Sequence, residues 1–349
     1  MANGTGVTVG DLSYLAIGRE LTYGTYNTAT AGLNFLSASL KMTKETRILE
    51  EIQTSRTNSN FIQLGRTLEG EIEAYFSPMN LACNYLLQNA FGGGAITSAS
   101  ATGDTVGSGT FQHTVGINNF LTTYSSLCIN HRKGDSTAGK IFEYSGFRVD
   151  EFGLTAEIDE PLLMNVSLIG KDASLTANNV SSVLDTTNQV PLSFVNGRFS
   201  VETTTAVLTS TSFWNVQSFS FKVMNNLNAD TSSRRIGSDT LDVLPAGLAK
   251  FELTCSIRFD TTTAYDAMMA GTRFAAEFQF QGATMSGSNL RESIKITMPY
   301  VVISDAGDPE VGGPNEPLTS ELTFAVLRDP TSSGYAVQAV VLNKTSTYA

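Results

Sequence analysis

The sequence predicts a mainly β protein made of two tandem copies of one β-rich unit, each with a single short α-helix. Three observations predict it. Apolar residues come in short runs that alternate with polar ones and are bounded by Gly, Asn, Ser and Thr, the period-two pattern of half-buried strands. Two segments break that rhythm with helical spacing, and each follows directly on a long alternating run. The runs before the two helices match each other at a nearly fixed offset, as an internal duplication requires.

In chain order, strand-length alternating runs fall at 36–42, 68–76, 147–158, 219–223, 251–259, 274–283, 321–327 and 335–342. After the second run Ser77 offers a side-chain cap and Pro78 suits the first helical position. The helix is expected to pass through Leu81, Tyr85 and Leu86 and to stop at Gly92, Gly93 and Gly94, where a left-handed cap costs little. The other helix has Asp260 as its expected cap, Tyr265, Met268 and Met269 as its apolar side, and Gly271 as its end.

The repeat is specific in its residues. Ser37, Ser39 and Lys41 fall on Ser218, Ser220 and Lys222 at an offset of 181. Leu68, Glu69, Ile72, Ala74 and Phe76 fall on Phe251, Glu252, Cys255, Ile257 and Phe259 at an offset of 183, and Ser77 falls on Asp260. Between the matched strands lie polar connectors of similar length, residues 43–67 with Arg47 and Arg56 and residues 224–250 with Arg234 and Arg235. Long connectors in compact domains are functional or disordered, and an assembly arm is the expected use. Residues 1–175 and 176–349 are therefore the expected units, joined through the polar stretch Lys171–Gln189.

Alternation also assigns faces. Leu68, Gly70, Ile72, Ala74 and Phe76 point to one side of their strand, and Glu69, Glu71 and Glu73 to the other. By the same rule Ser37, Ser39 and Lys41, then Ser218, Ser220 and Lys222, then Glu252, Thr254, Ser256 and Arg258 are polar-side residues. Such a face is either an ordinary solvated sheet surface or the lining of a channel.

Composition excludes several functions. The chain of 349 residues has 22 Lys and Arg against 33 Asp and Glu, a formal net charge of −11, so it does not grip nucleic acid by bulk charge. Hydrophobic residues at 41% against charged ones at 16% supply a core and rule out a disordered tail. No apolar run reaches the roughly 18 residues of a membrane span. The first twenty residues lack a basic segment followed by an apolar one, so no cleaved secretion signal is expected, and the protein is expected to be soluble and made in a cytoplasm. Cys83, Cys128 and Cys255 are odd in number and far apart, which fits small buried hydrophobes better than disulfides. With only His113 and His131 beside them, no metal cluster is expected, and no cofactor.

Catalytic patterns fail on context. Gly134–Lys140 fits the phosphate-binding glycine loop up to its lysine, but Ile141 stands where Ser or Thr must hold magnesium, and the following residues alternate as a strand, so a hairpin turn is expected. Glu69, Glu71 and Glu73 lie in one row on a strand and do not flank a bond as a glycosidase acid and base must. No nucleophile elbow or dinucleotide fingerprint is present, and no enzyme is expected.

The chain resembles the tail tube proteins of long-tailed bacteriophages, above all those with non-contractile tails. The resemblance rests on Ala16–Thr25, the strand Phe35–Leu40, the strand-to-helix segment Gly70–Phe91, Pro309–Gly313, the strand Glu321–Leu327 and Val341–Asn343. It implies β-sandwich or barrel units whose inner sheets join around a hollow bore, with rings stacked into a tube through which the genome passes. It implies a virion location in the phage tail, assembly in the bacterial host cytoplasm, and tape measure, tail terminator and baseplate proteins as partners. DNA would pass without specific binding, and no membrane is involved. Two units per chain imply a ring of three chains with pseudo-sixfold symmetry; a homohexamer with one unit as outer decoration is the alternative. Another phage structural component, such as a baseplate, decoration or adhesin protein, is the alternative function.

On this reading Ser37, Ser39, Lys41, Glu69, Glu71, Glu73, Ser218, Ser220, Lys222, Glu252, Thr254 and Arg258 face the lumen, and Arg47, Arg56, Arg234 and Arg235 sit on loops that reach adjacent subunits or rings, as does the N-terminal arm 1–14.

Overall fold

Every second side chain of most strands is buried, and a computed structural model of the chain shows how these buried rows meet. The structure describes residues 10–52, 57–58, 60–93, 96–104, 109–118, 120, 125–134, 141–184, 190–205, 208, 214–259, 262–307, 309, 317–330, 334–346 and 348. The first half holds β1 (Tyr14–Glu20), β2 (Ala31–Leu33), β3 (Ser37–Ala38), β4 (Lys41–Ile48), β5 (Phe61–Tyr75), α1 (Leu81–Ala90), β6 (Thr97–Ser100), β7 (Phe111–Gly116), β8 (Ser126–Arg132), β9 (Ile141–Glu157), β10 (Leu163–Gly170) and β11 (Asp172–Thr176). The second holds β12 (Gly197–Glu202), β13 (Val216–Met224), β14 (Lys250–Arg258), α2 (Thr263–Ala270), β15 (Arg273–Thr284), β16 (Arg291–Ala306), β17 (Thr319–Val326) and β18 (Gln338–Asn343). The fold is mainly β, and all strand pairs are antiparallel.

One long sheet runs in the order β4, β5, β10, β9, β13, β14, β17, β16, with β3 continuing the β4 edge. Strand β9 serves two sheets. Its first part pairs with β8 and β11, beyond which lie β1 and β2, and its second part pairs with β10 and β13. Strand β16 does the same, its first part joining β15 and β18 and so extending to β12, β7 and β6.

Pairing registers recur between the halves. Lys41 lies opposite Glu69, and Lys222 opposite Glu252. Ile72 lies opposite Val166, and Cys255 opposite Leu322. The register of β9 on β10 shifts between the Val149–Leu168 and Glu151–Ser167 pairs, leaving Asp150 as the extra residue of a bulge. On β16 and β17 the shift falls between Ile303–Phe324 and Asp305–Thr323, leaving Ser304. A further shift separates Leu127–Phe147 from Ile129–Tyr144, and its counterpart separates Phe274–Val301 from Ala276–Met298. Such bulges bend a strand and re-aim its side chains.

The connectors depart from the sequence expectation. Residues 43–67 are mostly a hairpin, because β4 and β5 stay paired out to Ile48 opposite Phe61. Residues 225–249 fold back instead. Asn226 turns the chain at φ 47° and Gly237 at φ 92°, and Leu227, Leu241 and Leu244 pack with Phe120 of the first half. A second asymmetry lies after the helices: α1 is followed by β6 and β7, and β7 pairs with β18 of the second half, whereas α2 leads into β15 after two residues.

Helix starts also differ from expectation. Asn80, and not Ser77, caps α1: its Oδ1 accepts the Ala82 N–H at 2.8 Å, while Ser77 and Asn80 close a turn at 3.1 Å that holds Pro78 outside the helix. At the other end Gly92 adopts φ +92° and Gly93 φ +66°. The expected cap Asp260 lies outside the described residues, and Thr262 occupies the cap position of α2. Gly271 ends α2 in the left-handed conformation, as expected. The buried side of α2 is Ala264 and Ala267; Tyr265 and Met269 are exposed.

The main core joins both halves, with Tyr85, Phe152, Phe221, Phe278 and Phe324 essentially without solvent contact. Phe221 on β13 lies opposite Leu154 on β9, so the seam between the halves is as apolar inside as either half. The three cysteines are free and buried, and burial pushes each thiol up to about 12. Ile141 opens β9 opposite Arg132, so the glycine loop before it joins two paired strands and no helix follows it. No helix among the described residues is long and apolar enough to cross a membrane.

Candidate functional site

The long sheet buries one face and leaves the other wet. Leu68, Ile72 and Ala74 of β5, Met164, Val166 and Leu168 of β10, and Phe219, Phe221 and Val223 of β13 are buried, so the residues between them share the opposite side. Registers then fix the rungs across that side. Ser37, Glu73, Asn165, Gly153, Lys222, Glu252 and Ala325 form one rung through six pairings. The rung beside it holds Thr155, Ser220, Thr254 and Thr323. Ser37, Glu71, Glu73, Glu151, Asn165 and Lys222 line a single groove on this surface.

The sequence-predicted residues Ser37, Ser39, Lys41, Glu69, Glu71, Glu73, Ser218, Ser220, Lys222, Glu252, Thr254 and Arg258 thus occupy one continuous polar face. Local bonds order part of it. Ser37 Oγ donates to Glu73 Oε2 at 3.3 Å, and the Glu71 N–H donates to Ser39 Oγ at 3.0 Å.

Sequence reasoning missed Glu151, Glu157, Asn165, Ser167, Lys250, Asp305 and Glu321, which belong to the same face. The bulge at Asp150 changes the phase of alternation in β9 and hides Glu151; the Ser304 bulge does the same for Asp305. Among the described residues the face carries eight carboxylates (Glu69, Glu71, Glu73, Glu151, Glu157, Glu252, Asp305 and Glu321) against four cations (Lys41, Lys222, Lys250 and Arg258), a net of −4.

The arrangement suits repulsion of polyanions and not bond cleavage. Glu73 and Glu252 share a rung four strand spacings apart, about 19 Å, beyond the separation at which two carboxyls act on one glycosidic bond. No group of three or more His, Cys, Asp or Glu residues able to hold a metal occurs among the described residues. His131 is buried, and burial with the nearby Lys133 charge holds its pKa down at about 4. His113 is locked between Ser98, Asn343 and the Thr345 carbonyl and stacks on Tyr348 at 4.1 Å.

The arginines expected on assembly loops scatter. Arg47 is exposed on β4. Arg56 and most of the N-terminal arm lie outside the described residues. Arg235 is exposed and pairs with Asp242 at 3.3 Å. Arg234 bonds within its own chain: Nη2 donates to the Arg66 carbonyl at 2.8 Å and to Thr67 Oγ1 at 3.2 Å, and Nη1 donates to the Asp239 carbonyl at 2.8 Å.

A model of the family described as phage tail tube protein matches residues 10–326. The chain belongs to that family. The match spans both halves, from β1 through β17, and includes the whole polar face. Membership makes the chain a component of the phage tail and a structural protein by family. Among solved structures, one described as the crystal structure of Hcp protein is similar at 14% identity and a TM-score of 0.26, over 43% of this chain and 98% of that one. No curated protein matches the sequence.

Proposed function

We propose that this tail tube protein is the major tube subunit, that its two halves, residues 1–175 and 176–349, are copies of one tube unit, and that three chains close a ring with pseudo-sixfold symmetry. Stacked rings form a hollow conduit, and the polar face of the long sheet lines the bore. The observation that carries this reading is the β9–β13 seam: one half's sheet continues into the other's without a change of face. Recurrence of six pairings, with bulges at Asp150 and Ser304, supports the duplication.

Edge strands are templates for further strands, and closure around a ring satisfies their backbone groups without a ligand. A bore with a net of −4 per chain over the described residues holds no phosphates by counterion release, so DNA slides through it. The protein on this reading is not an enzyme, is assembled in the host cytoplasm, and meets tape measure, terminator and baseplate proteins in the tail. Negative-stain electron microscopy with native mass spectrometry tests it. Rings of three chains with a central hole are expected; six chains per ring would favour the homohexamer, and a solitary globule would overturn the reading.

A further inference from the structure

The seam inside the chain shows how one half's edge receives another. On the β13 side Lys222 lies opposite Gly153, Val223 opposite Phe152 and Met224 opposite Glu151, and the Asn225 N–H donates to the Asp150 carbonyl at 2.8 Å. Pairing fixes the counterparts of both edges elsewhere in the molecule. Strand β4 stands to β5 as β13 stands to β14, with Lys41 in the place of Lys222. Strand β16 stands to β17 as β9 stands to β10, with Ser304 in the place of Asp150 and Ala306 in that of Phe152. Neither of these two edges has a strand on its outer side among the described residues.

We infer that the edge Lys41–Lys44 of one chain pairs antiparallel with the edge Ser304–Gly307 of a second copy, with Lys41 opposite Gly307, Met42 opposite Ala306 and Thr43 opposite Asp305. The inference rests on the tube-subunit reading and adds the register of its joint. Both edges are open to solvent where they must be: Lys41, Thr43, Ser304 and Asp305 are exposed. Chemistry matches too. Lys222 flanks Glu151 across the internal seam, and Lys41 would flank Asp305 in the same diagonal relation. Gly307 repeats the glycine at Gly153 opposite the lysine.

One group must move. The Ala306 N–H, which this register aims at the Met42 carbonyl, rests on Met268 Sδ of α2 at 3.2 Å. A thioether is a weak acceptor on a flexible side chain, so a strand carbonyl displaces it at little cost.

Pairs of inserted cysteines read the register directly. Thr43 and Asp305 would form a non-hydrogen-bonded pair, the closer kind in an antiparallel ladder and the one suited to a disulfide. The chain carrying Thr43→Cys and Asp305→Cys is assembled, checked for rings by electron microscopy, oxidised and run without reductant. Complete conversion of the monomer band to a closed covalent trimer is expected. Thr43→Cys with Gly307→Cys, shifted by two residues, should give only residual dimer, and Met224→Cys with Glu151→Cys should close inside the monomer as a control of geometry. Rings that cross-link through the shifted pair, or through neither, overturn the register and leave the tube reading standing. Absence of rings from the unsubstituted protein overturns both.

Discussion

Arg66 and Asp239, 173 positions apart, meet side by side: Arg66 Nη2 donates to Asp239 Oδ1 at 2.9 Å, and Nε lies 2.9 Å from Oδ2. Asp172 accepts from Arg66 Nη1 at 3.0 Å, and Lys44 lies 3.7 Å from Asp239. The folded-back connector of the second half is thereby pinned to the hairpin of the first.

That clasp predicts a local effect. Arg66→Ala should speed proteolytic cleavage and amide exchange within residues 225–249 while the sheet stays protected, because a plain charge contact at a half-exposed site contributes little to global stability. Arg66→Lys should restore only part of the protection, since it lacks the planar fork. Arg66 holds the Asp239 carboxyl below its usual range, so this contribution is present above the unfolded carboxylate range and is lost as pH falls through the lowered value. Exchange mass spectrometry at neutral and at acid pH reads both effects.

Charge on the polar face is testable without disturbing the core. Replacing Glu69, Glu71, Glu73 and Glu252 by Lys turns four carboxylates into four cations and changes the face from −4 to +4. Rings should persist, and DNA should be retained with an affinity that falls steeply with salt. Genome ejection from particles carrying the substituted subunit should slow; unchanged ejection and no salt-dependent DNA binding would place this face away from the bore.

Gly92 is a point of backbone constraint. It holds φ +92°, and a Cβ there would run into the Asn118 carbonyl. Gly92→Ala should cost about 1–3 kcal/mol, visible as a lower urea midpoint with an unchanged slope.

His131 supplies a pH dependence. Its pKa is down at about 4 in the folded chain, so between the unfolded value of 6.5 and about 4 the unfolded chain binds a proton that the folded chain refuses. Its contribution is therefore full above pH 6.5 and falls as pH drops toward 4, by an amount on the order of 3 kcal/mol. Glu20 opposes the trend, since burial raises its pKa and favours the folded state as acid is added. His131→Phe should flatten the loss of stability between pH 6.5 and 4 in parallel denaturation curves.

Much of this was legible in the residues themselves. The alternation of Glu69, Glu71 and Glu73 against Leu68, Ile72 and Ala74 placed the polar face, and the matched Lys41 and Lys222 foretold that both lysines would sit opposite a glutamate. What escaped had physical causes. A bulge residue such as Asp150 costs nothing in composition but reverses the phase of every residue after it, so Glu151 could not be assigned without the partner strand. The two connectors are similar in length and polarity, yet one pairs with itself and the other finds Phe120 and Arg66, which are distant in sequence. The pairing of β7 with β18 joins residues more than two hundred positions apart, and no local pattern encodes it.

The seam between β9 and β13 has one more consequence. Joined by peptide bonds, these two edges meet at a local concentration fixed by the chain between them, so dilution leaves their contact intact. A contact of the same form between separate molecules would loosen as the protein is diluted. Half of the work of meeting a neighbour is thus transferred from collision to folding.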